Sequence, residues 1–145
     1  MKALTFCYVS AGVFFLGALL SGVWKYIGIL NSDKAEAPEY VSVLHRSGLM
    51  YSFAALLLAQ FAQLNPYSET VKLWSCVAVI AFFAFAQTTY LIHALLKDTD
   101  NQFRKPYILG QWQMPGYIIH GSMILLILAE IGGFAVLFWG FLETL

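Results

Sequence analysis

LWSCVAVIAFFAFAQTTYLIHALL, residues 73–96, is an apolar run of 24 residues without a single Asp, Glu, Lys or Arg. A helix needs about 20 such residues to cross the hydrocarbon core of a bilayer. In lipid, only helices and closed barrels satisfy their own backbone hydrogen bonds. Because the apolar residues are continuous rather than alternating, the run predicts a membrane-spanning helix and not a barrel strand.

Three more apolar runs flank this one, separated by polar segments. The predicted spans are approximately residues 4–30, 43–64, 70–97 and 115–142. Proline cannot continue a helix, so Asn65-Pro66 ends the second span, and Pro115 suits the first turn of the fourth. Four helices joined in sequence predict a single membrane domain over residues 1–145, an all-α integral membrane bundle of up-down-up-down topology.

The composition excludes an ordinary soluble domain. Hydrophobic residues make up 60% of the chain and charged residues 11%, against roughly 45–50% and about 25% in soluble proteins. Eight basic and eight acidic residues give a formal net charge of zero, which offers no basic surface to a nucleic acid. The expected partner is therefore the lipid bilayer, and no nucleic acid.

The predicted topology puts the two long connections, near residues 31–38 and 98–114, at the same end of the bundle, here called the long-loop end. Most of the basic residues belong to it: Lys25, Lys34, Arg46, Lys97, Arg104 and Lys105. The positive-inside rule places this end in the cytoplasm. We therefore expect an integral protein of a bacterial inner membrane.

The two cysteines, Cys7 and Cys76, stand in apolar surroundings, with no second cysteine close in sequence. This is neither a redox motif nor a zinc motif, and it predicts small core residues. Both lie near the starts of odd-numbered helices, hence near the same membrane face. A disulfide between them is the alternative.

All three histidines belong to the long-loop end. His45 enters the second helix, His93 lies in the last turn of the third, and His120 lies near the start of the fourth. Polar residues of the same layer are Arg46, Tyr90, Trp112 and Tyr117. Ionisable residues at membrane depth usually mark function, although a histidine near a helix end also suits the headgroup level. His45 is the strongest candidate, because neutral imidazole is a common ligand of haem iron.

Glu130 is the only acidic residue deep in a predicted span. A carboxylate there costs about 2.5–3.5 kcal/mol on insertion scales, so we expect it to be protonated or hydrogen-bonded. Either a helix-packing hydrogen bond or a proton-handling role explains it. Its distance from His120, on the order of 15 Å along the helix, predicts that it shares no ligand with the histidines.

Small residues recur in the first and fourth spans, where they let helix backbones approach each other closely. They are Gly12, Gly17, Ser21, Gly22, Ala129, Gly132 and Gly133. They predict close packing of helices or of subunits and do not indicate a substrate.

From about Phe14 to Leu137, the order of features resembles a small family of four-helix membrane isomerases that includes styrene oxide isomerase and hydroxylaminobenzene mutase. The similar segments are Leu44-His45-Arg46-Ser47-Gly48, Thr89-Tyr90-Leu91-Ile92, Asn101-Gln102-Phe103 and Met114-Pro115-Gly116. Where the family has an asparagine six residues after the histidine, this chain has Tyr51.

The resemblance implies a homotrimer that holds haem b near a subunit interface, with His45 as the axial ligand of the iron. Arg46, His93 and His120 are further candidates for cofactor binding, and Tyr90 and Tyr51 are the candidate catalytic residues facing the substrate. In the family, ferric iron acts as a Lewis acid. The implied reaction is conversion of an aryl epoxide to an aldehyde, or rearrangement of an arylhydroxylamine, on a small apolar or aromatic substrate.

Two other functions remain open from the sequence. A small membrane cytochrome would use two of His45, His93 and His120 as axial ligands and leave the iron no open coordination site. A non-catalytic membrane subunit would carry histidines that merely sit at the membrane interface.

Overall fold

The computed structural model describes residues 2–145, which form four long helices and one short hairpin. The helices are α1 (Ala3–Leu30), α2 (Glu39–Leu64), α3 (Glu69–Leu96) and α4 (Gly116–Leu142), and the hairpin strands are β1 (Ile108–Leu109) and β2 (Trp112–Gln113). All four helices are long and apolar enough to cross a membrane. The predicted all-α four-helix bundle is confirmed, and the chain is an integral membrane protein.

The helix ends follow from local sequence. Pro38 precedes the first turn of α2 with Glu39 as its first residue, so α2 begins four residues before the predicted start of the second span. Ser68 caps α3 by accepting a hydrogen bond from the Val71 backbone N–H. Lys97 ends α3 in the left-handed conformation, with φ of 52°.

The most extensive contact between helices is that of α1 with α2. Small residues permit this contact: a Cβ added at Gly48 of α2 would lie only 3.0 Å from Ala18 Cβ of α1. The α2–α3 and α3–α4 contacts follow, and α1 and α4 occupy diagonal corners. The outward surfaces carry large exposed apolar side chains on every helix, which suits contact with lipid.

The main core fills the half of the bundle away from the long-loop end. Cys7 and Cys76 are both fully buried there and unpaired by a disulfide, which confirms them as small core residues. Tyr51 stacks on Phe83 with the ring centroids 4.3 Å apart. At the far end, the buried Asn65 donates its side-chain N–H to the Leu137 carbonyl at 2.8 Å and thereby ties the α2–α3 turn to α4.

The glycines named in the sequence analysis fall into two groups: some are in close contact with a neighbouring helix, and others have open space beside them. A Cβ added at Gly133 of α4 would lie 2.7 Å from the Ser75 carbonyl oxygen of α3, so the two backbones touch there. Gly22 packs against the His45 ring. Gly12, Gly17 and Gly132 have no described atom within 4 Å of an added Cβ, so packing within the subunit does not explain them.

The connection between α3 and α4 is ordered and folds back over the long-loop end. It contains the β1–β2 hairpin, which Gly110 turns with φ of 62°. The Met114 backbone N–H donates to the Tyr107 carbonyl at 2.8 Å, and Tyr107 itself is buried. The segment therefore covers the groove between α3 and α4, where the sequence predicted only a long loop.

Candidate functional site

A cavity of about 390 Å³ lies between α3 and α4 beneath this connection. Its size is within the range of small-molecule sites, which are typically roughly 300–1,000 Å³. The wall is mainly apolar and includes Phe85, Ile92, Phe103, Ile108, Leu109, Met114, Ile118, Ile119, Met123 and Leu126. Several of these residues, among them Phe85 and Ile118, are also exposed on the outer surface of the bundle.

Four polar side chains named in the sequence analysis line the same cavity: Tyr51, Tyr90, His93 and Glu130. Tyr51 comes from α2, Tyr90 and His93 from α3, and Glu130 from α4. Glu130 and His93 both line the cavity, which extends along the helices. Glu130 makes no hydrogen bond within residues 2–145, so the proposed helix-packing bond is not observed there.

His93 is buried and hydrogen-bonded to a carboxylate. Its Nδ1 lies 2.8 Å from Asp98 Oδ1, and each side chain is only 4% exposed. The Gly110 backbone N–H donates to Asp98 Oδ2 at 2.6 Å. Burial raises the pKa of the Asp98 carboxyl, but the hydrogen bonds from Gly110 and His93 outweigh it, and the pKa lies below its usual value.

His45, from the same helix as Tyr51, does not line the cavity. Its Nδ1 lies 2.8 Å from the Ala18 carbonyl oxygen of α1, and its ring fits against Gly22. Nε2 makes no hydrogen bond within the described part of the chain. The neighbouring Arg46 is exposed and pairs with Glu39 at 3.6 Å, so it does not reach the cavity either.

His120 has a third, separate environment. It is exposed, and its Nε2 lies 3.0 Å from the Tyr107 hydroxyl. Trp112 and Tyr117, predicted in the same layer, are each more than three-quarters exposed. The three histidines thus share the long-loop end but have different partners. Among residues 2–145, no three His, Cys, Asp or Glu side chains are grouped so that they could hold a metal ion.

Three residues of the site were not singled out by the sequence analysis. Asp98 orients His93, and the Tyr40 ring packs against the His93 ring with the centroids 4.8 Å apart and a tilt of 32°. Gln102 lines the cavity, donates its backbone N–H to the Tyr40 hydroxyl at 2.6 Å, and has a buried Oε1 without a partner. The only sequence feature that could have pointed to Asp98 is its position just after the end of α3, the helix that carries His93.

Two regions of the structure therefore carry side chains that could bind a ligand or take part in a reaction. One is the cavity with its tyrosines, His93 and Glu130, and the other is His45 on the outer face of α1 and α2. No family model, curated protein or solved structure matches this chain.

Proposed function

We propose that the protein is a haem-b-dependent isomerase of the bacterial inner membrane, acting on a small apolar or aromatic substrate. The candidate reactions are conversion of an aryl epoxide to an aldehyde and rearrangement of an arylhydroxylamine. The observation that carries the proposal is the environment of His45, supported by the apolar cavity that Tyr51 and Tyr90 line.

His45 has the arrangement expected of a metal-binding imidazole. Histidines that bind metals almost always donate the other ring N–H to a carboxylate, a backbone carbonyl or water. Here Nδ1 is bonded to the Ala18 carbonyl, which fixes the ring and leaves Nε2 as the basic nitrogen. The residues present therefore fit axial ligation by His45. When bound, a ferric haem supplies a Lewis acid that polarises a C–O or N–O bond.

The cavity supplies what such a rearrangement needs from the protein. Its apolar wall excludes water, which protects a reactive cationic species from hydrolysis. The Tyr90 hydroxyl can hold the oxygen of the substrate in position, and Tyr51, stacked on Phe83, forms a rigid part of the wall. Tyr90 and Tyr51 are accordingly the substrate-contacting residues of the proposal.

A homotrimer is part of the proposal, because His45 does not line the cavity of its own subunit. The outer face of α1 and α2 beside His45 is apolar and exposed, with Leu19, Tyr26 and Phe53 at helical spacing around it. If a second subunit packed against this face, its surface would cover His45. This arrangement supports a haem site completed between subunits.

The cavity favours a reaction on a small molecule over the alternative of electron transfer. A cytochrome with two histidine ligands needs no ligand cavity. The histidines also have separate surroundings, because His93 lines the cavity, His45 does not, and Nε2 of His120 lies 3.0 Å from the Tyr107 hydroxyl. The non-catalytic alternative likewise leaves the polar lining of the cavity without a role.

The test is an absorption spectrum of the purified protein in detergent, oxidised and reduced, with and without imidazole. We expect a Soret band that shifts when imidazole binds the open site, and its loss in His45→Ala. His120→Ala is the matched control and should keep the band. A band that imidazole does not shift would favour the cytochrome. No band after reconstitution with haem overturns the proposal.

A further inference from the structure

The pair of His93 and Asp98 lies in the cavity wall and has no part in the proposed haem site. We infer that His93, oriented by Asp98, binds the hydroxyl group of a ligand in the cavity and accepts its proton. This inference rests on the proposed function only in taking the cavity as the substrate site. It requires neither haem nor His45.

The hydrogen bonds fix the form of the imidazole. A carboxylate only accepts hydrogen bonds, so the Nδ1–H of His93 donates to Asp98, and Asp98 stays ionised because Gly110 also donates to it. In the neutral ring, Nε2 is then the acceptor, and it has no partner within residues 2–145. A ligand with an O–H group would satisfy it.

Asp98 also makes His93 a usable base. Transfer of a proton to Nε2 creates an imidazolium, which the carboxylate stabilises across the 2.8 Å hydrogen bond. Because both side chains are buried, the attraction is little screened by water. The Tyr40 ring, which packs against the imidazole at a tilt of 32°, limits its rotation away from this position.

His93 is the one residue that lines both the cavity and a second, outer pocket of about 280 Å³ at the long-loop end. The outer pocket is lined by charged groups, among them Glu39, Lys97 and Asp100, and opens to water. A proton accepted from the cavity can therefore be exchanged with solvent.

The proposed step balances within the cavity. The ligand O–H bond breaks, its electron pair stays on the oxygen, and the proton binds His93 Nε2. The imidazolium then returns that proton to another atom of the substrate, so the overall change is an isomerisation. No oxidant, reductant or further reactant is consumed.

The lining defines the class of ligand as one aromatic ring with a hydroxyl group. Phe85, Ile118 and Met123 provide an apolar surface for the ring. Near His93, the unpaired Oε1 of Gln102 is a second acceptor at the same end of the cavity. Phenol is therefore a suitable probe, and toluene is the matched probe without a donor.

The experiment is a phenol titration of the haem-free protein in lipid nanodiscs, followed by NMR of ¹⁵N-labelled histidine. His45→Gln and His120→Gln identify the signals of the other two rings, so the His93 signals follow without any change at the site. We expect His93 to carry its proton on Nδ1 and its Nε2 signal to move saturably with phenol. The His45 and His120 signals should not move.

A second measurement compares affinities. The ratio of the phenol affinity to the toluene affinity should be about two- to tenfold higher in the wild type than in His93→Gln. The reason is that the variant loses one hydrogen bond to phenol, whereas toluene makes none. The inference is overturned if phenol does not bind saturably, if it binds without moving the Nε2 signal, or if His93 carries its proton on Nε2. Absence of haem would refute the proposed function and leave this result unaffected.

Discussion

Replacement of Gly133 by alanine tests the contact between α3 and α4 most directly. An added Cβ would lie 2.7 Å from the Ser75 carbonyl oxygen and 2.8 Å from Val79 Cγ2, whereas ordinary contact begins near 3.4 Å. The Ser75 atom belongs to the backbone and cannot rotate away. The two helices must therefore separate locally by about 0.7 Å.

The expected cost follows from this separation. A gap of about 0.5–1 Å forfeits a quarter to a half of the dispersion energy between the facing atoms. Overpacking of a well-packed contact typically costs about 1–3 kcal/mol. Gly132→Ala is the matched control, because the adjacent glycine has no described atom within 4 Å of an added Cβ. The gain in helix propensity, about 0.5–1 kcal/mol, is common to both variants and cancels in the comparison.

The assay is equilibrium unfolding in mixed micelles titrated with sodium dodecyl sulfate, followed by circular dichroism. Gly133→Ala should unfold with a free energy about 1–3 kcal/mol lower than that of Gly132→Ala. Equal unfolding free energies for the two variants would refute the close α3–α4 contact at this position.

Three other variants test the site and the fold. Tyr90→Phe should keep haem bound but slow turnover about 10²-fold, and unchanged kinetics on the true substrate would exclude a catalytic role. The pKa of Asp98 is lowered in the folded state, so the ionised carboxylate should stabilise the fold fully above about pH 4. This stabilisation should be lost as the pH falls further, and Asp98→Asn should abolish this part of the pH dependence of the unfolding free energy. Asn65→Ala removes the hydrogen bonds to Leu137 and Tyr67 and should lower the unfolding free energy by about 1–3 kcal/mol, whereas an unchanged value would mean that this turn does not anchor α4.

The helices could be predicted because their apolar runs match the thickness of a bilayer. Residues 73–96, for example, lie within α3, and Pro115 directly precedes α4 as expected. Helix α2 begins at Glu39, four residues before the predicted span of residues 43–64, and Glu39 is a favourable residue in the first turn of a helix.

The faces of the helices could not be predicted in the same way. Each helix is apolar around its whole circumference, so no polar stripe indicates which side packs inward. His45 and Tyr51 belong to one helix, yet only Tyr51 lines the cavity, because the surroundings of each side chain depend on the packing of α1 and α3. The sequence therefore put His45, Tyr90 and His120 in one layer, whereas the structure gives them separate surroundings.

The pairing of His93 with Asp98 depends on the conformation of a connection that has no periodic pattern. Asp98 reaches His93 because Lys97 adopts the left-handed conformation and because Gly110 returns the hairpin to the end of α3. Neither event follows from residue type alone. Gln102 was quoted only within the segment Asn101-Gln102-Phe103, and its contact with Tyr40 of α2 depends on the same connection.

The apolar mouth of the cavity has a consequence for kinetics. Phe85 and Ile118 belong both to the cavity wall and to the exposed surface of the bundle, so a substrate of the proposed reaction would enter from the hydrocarbon phase. Its concentration at the mouth is then governed by partition between buffer and lipid. Each added methylene group should raise that concentration by about fourfold, since its transfer from water is worth about 0.8 kcal/mol. The degree of saturation should accordingly depend on the mole fraction of substrate in the lipid rather than on its total concentration. Adding empty vesicles to an assay should therefore dilute the substrate in the lipid and lower the rate.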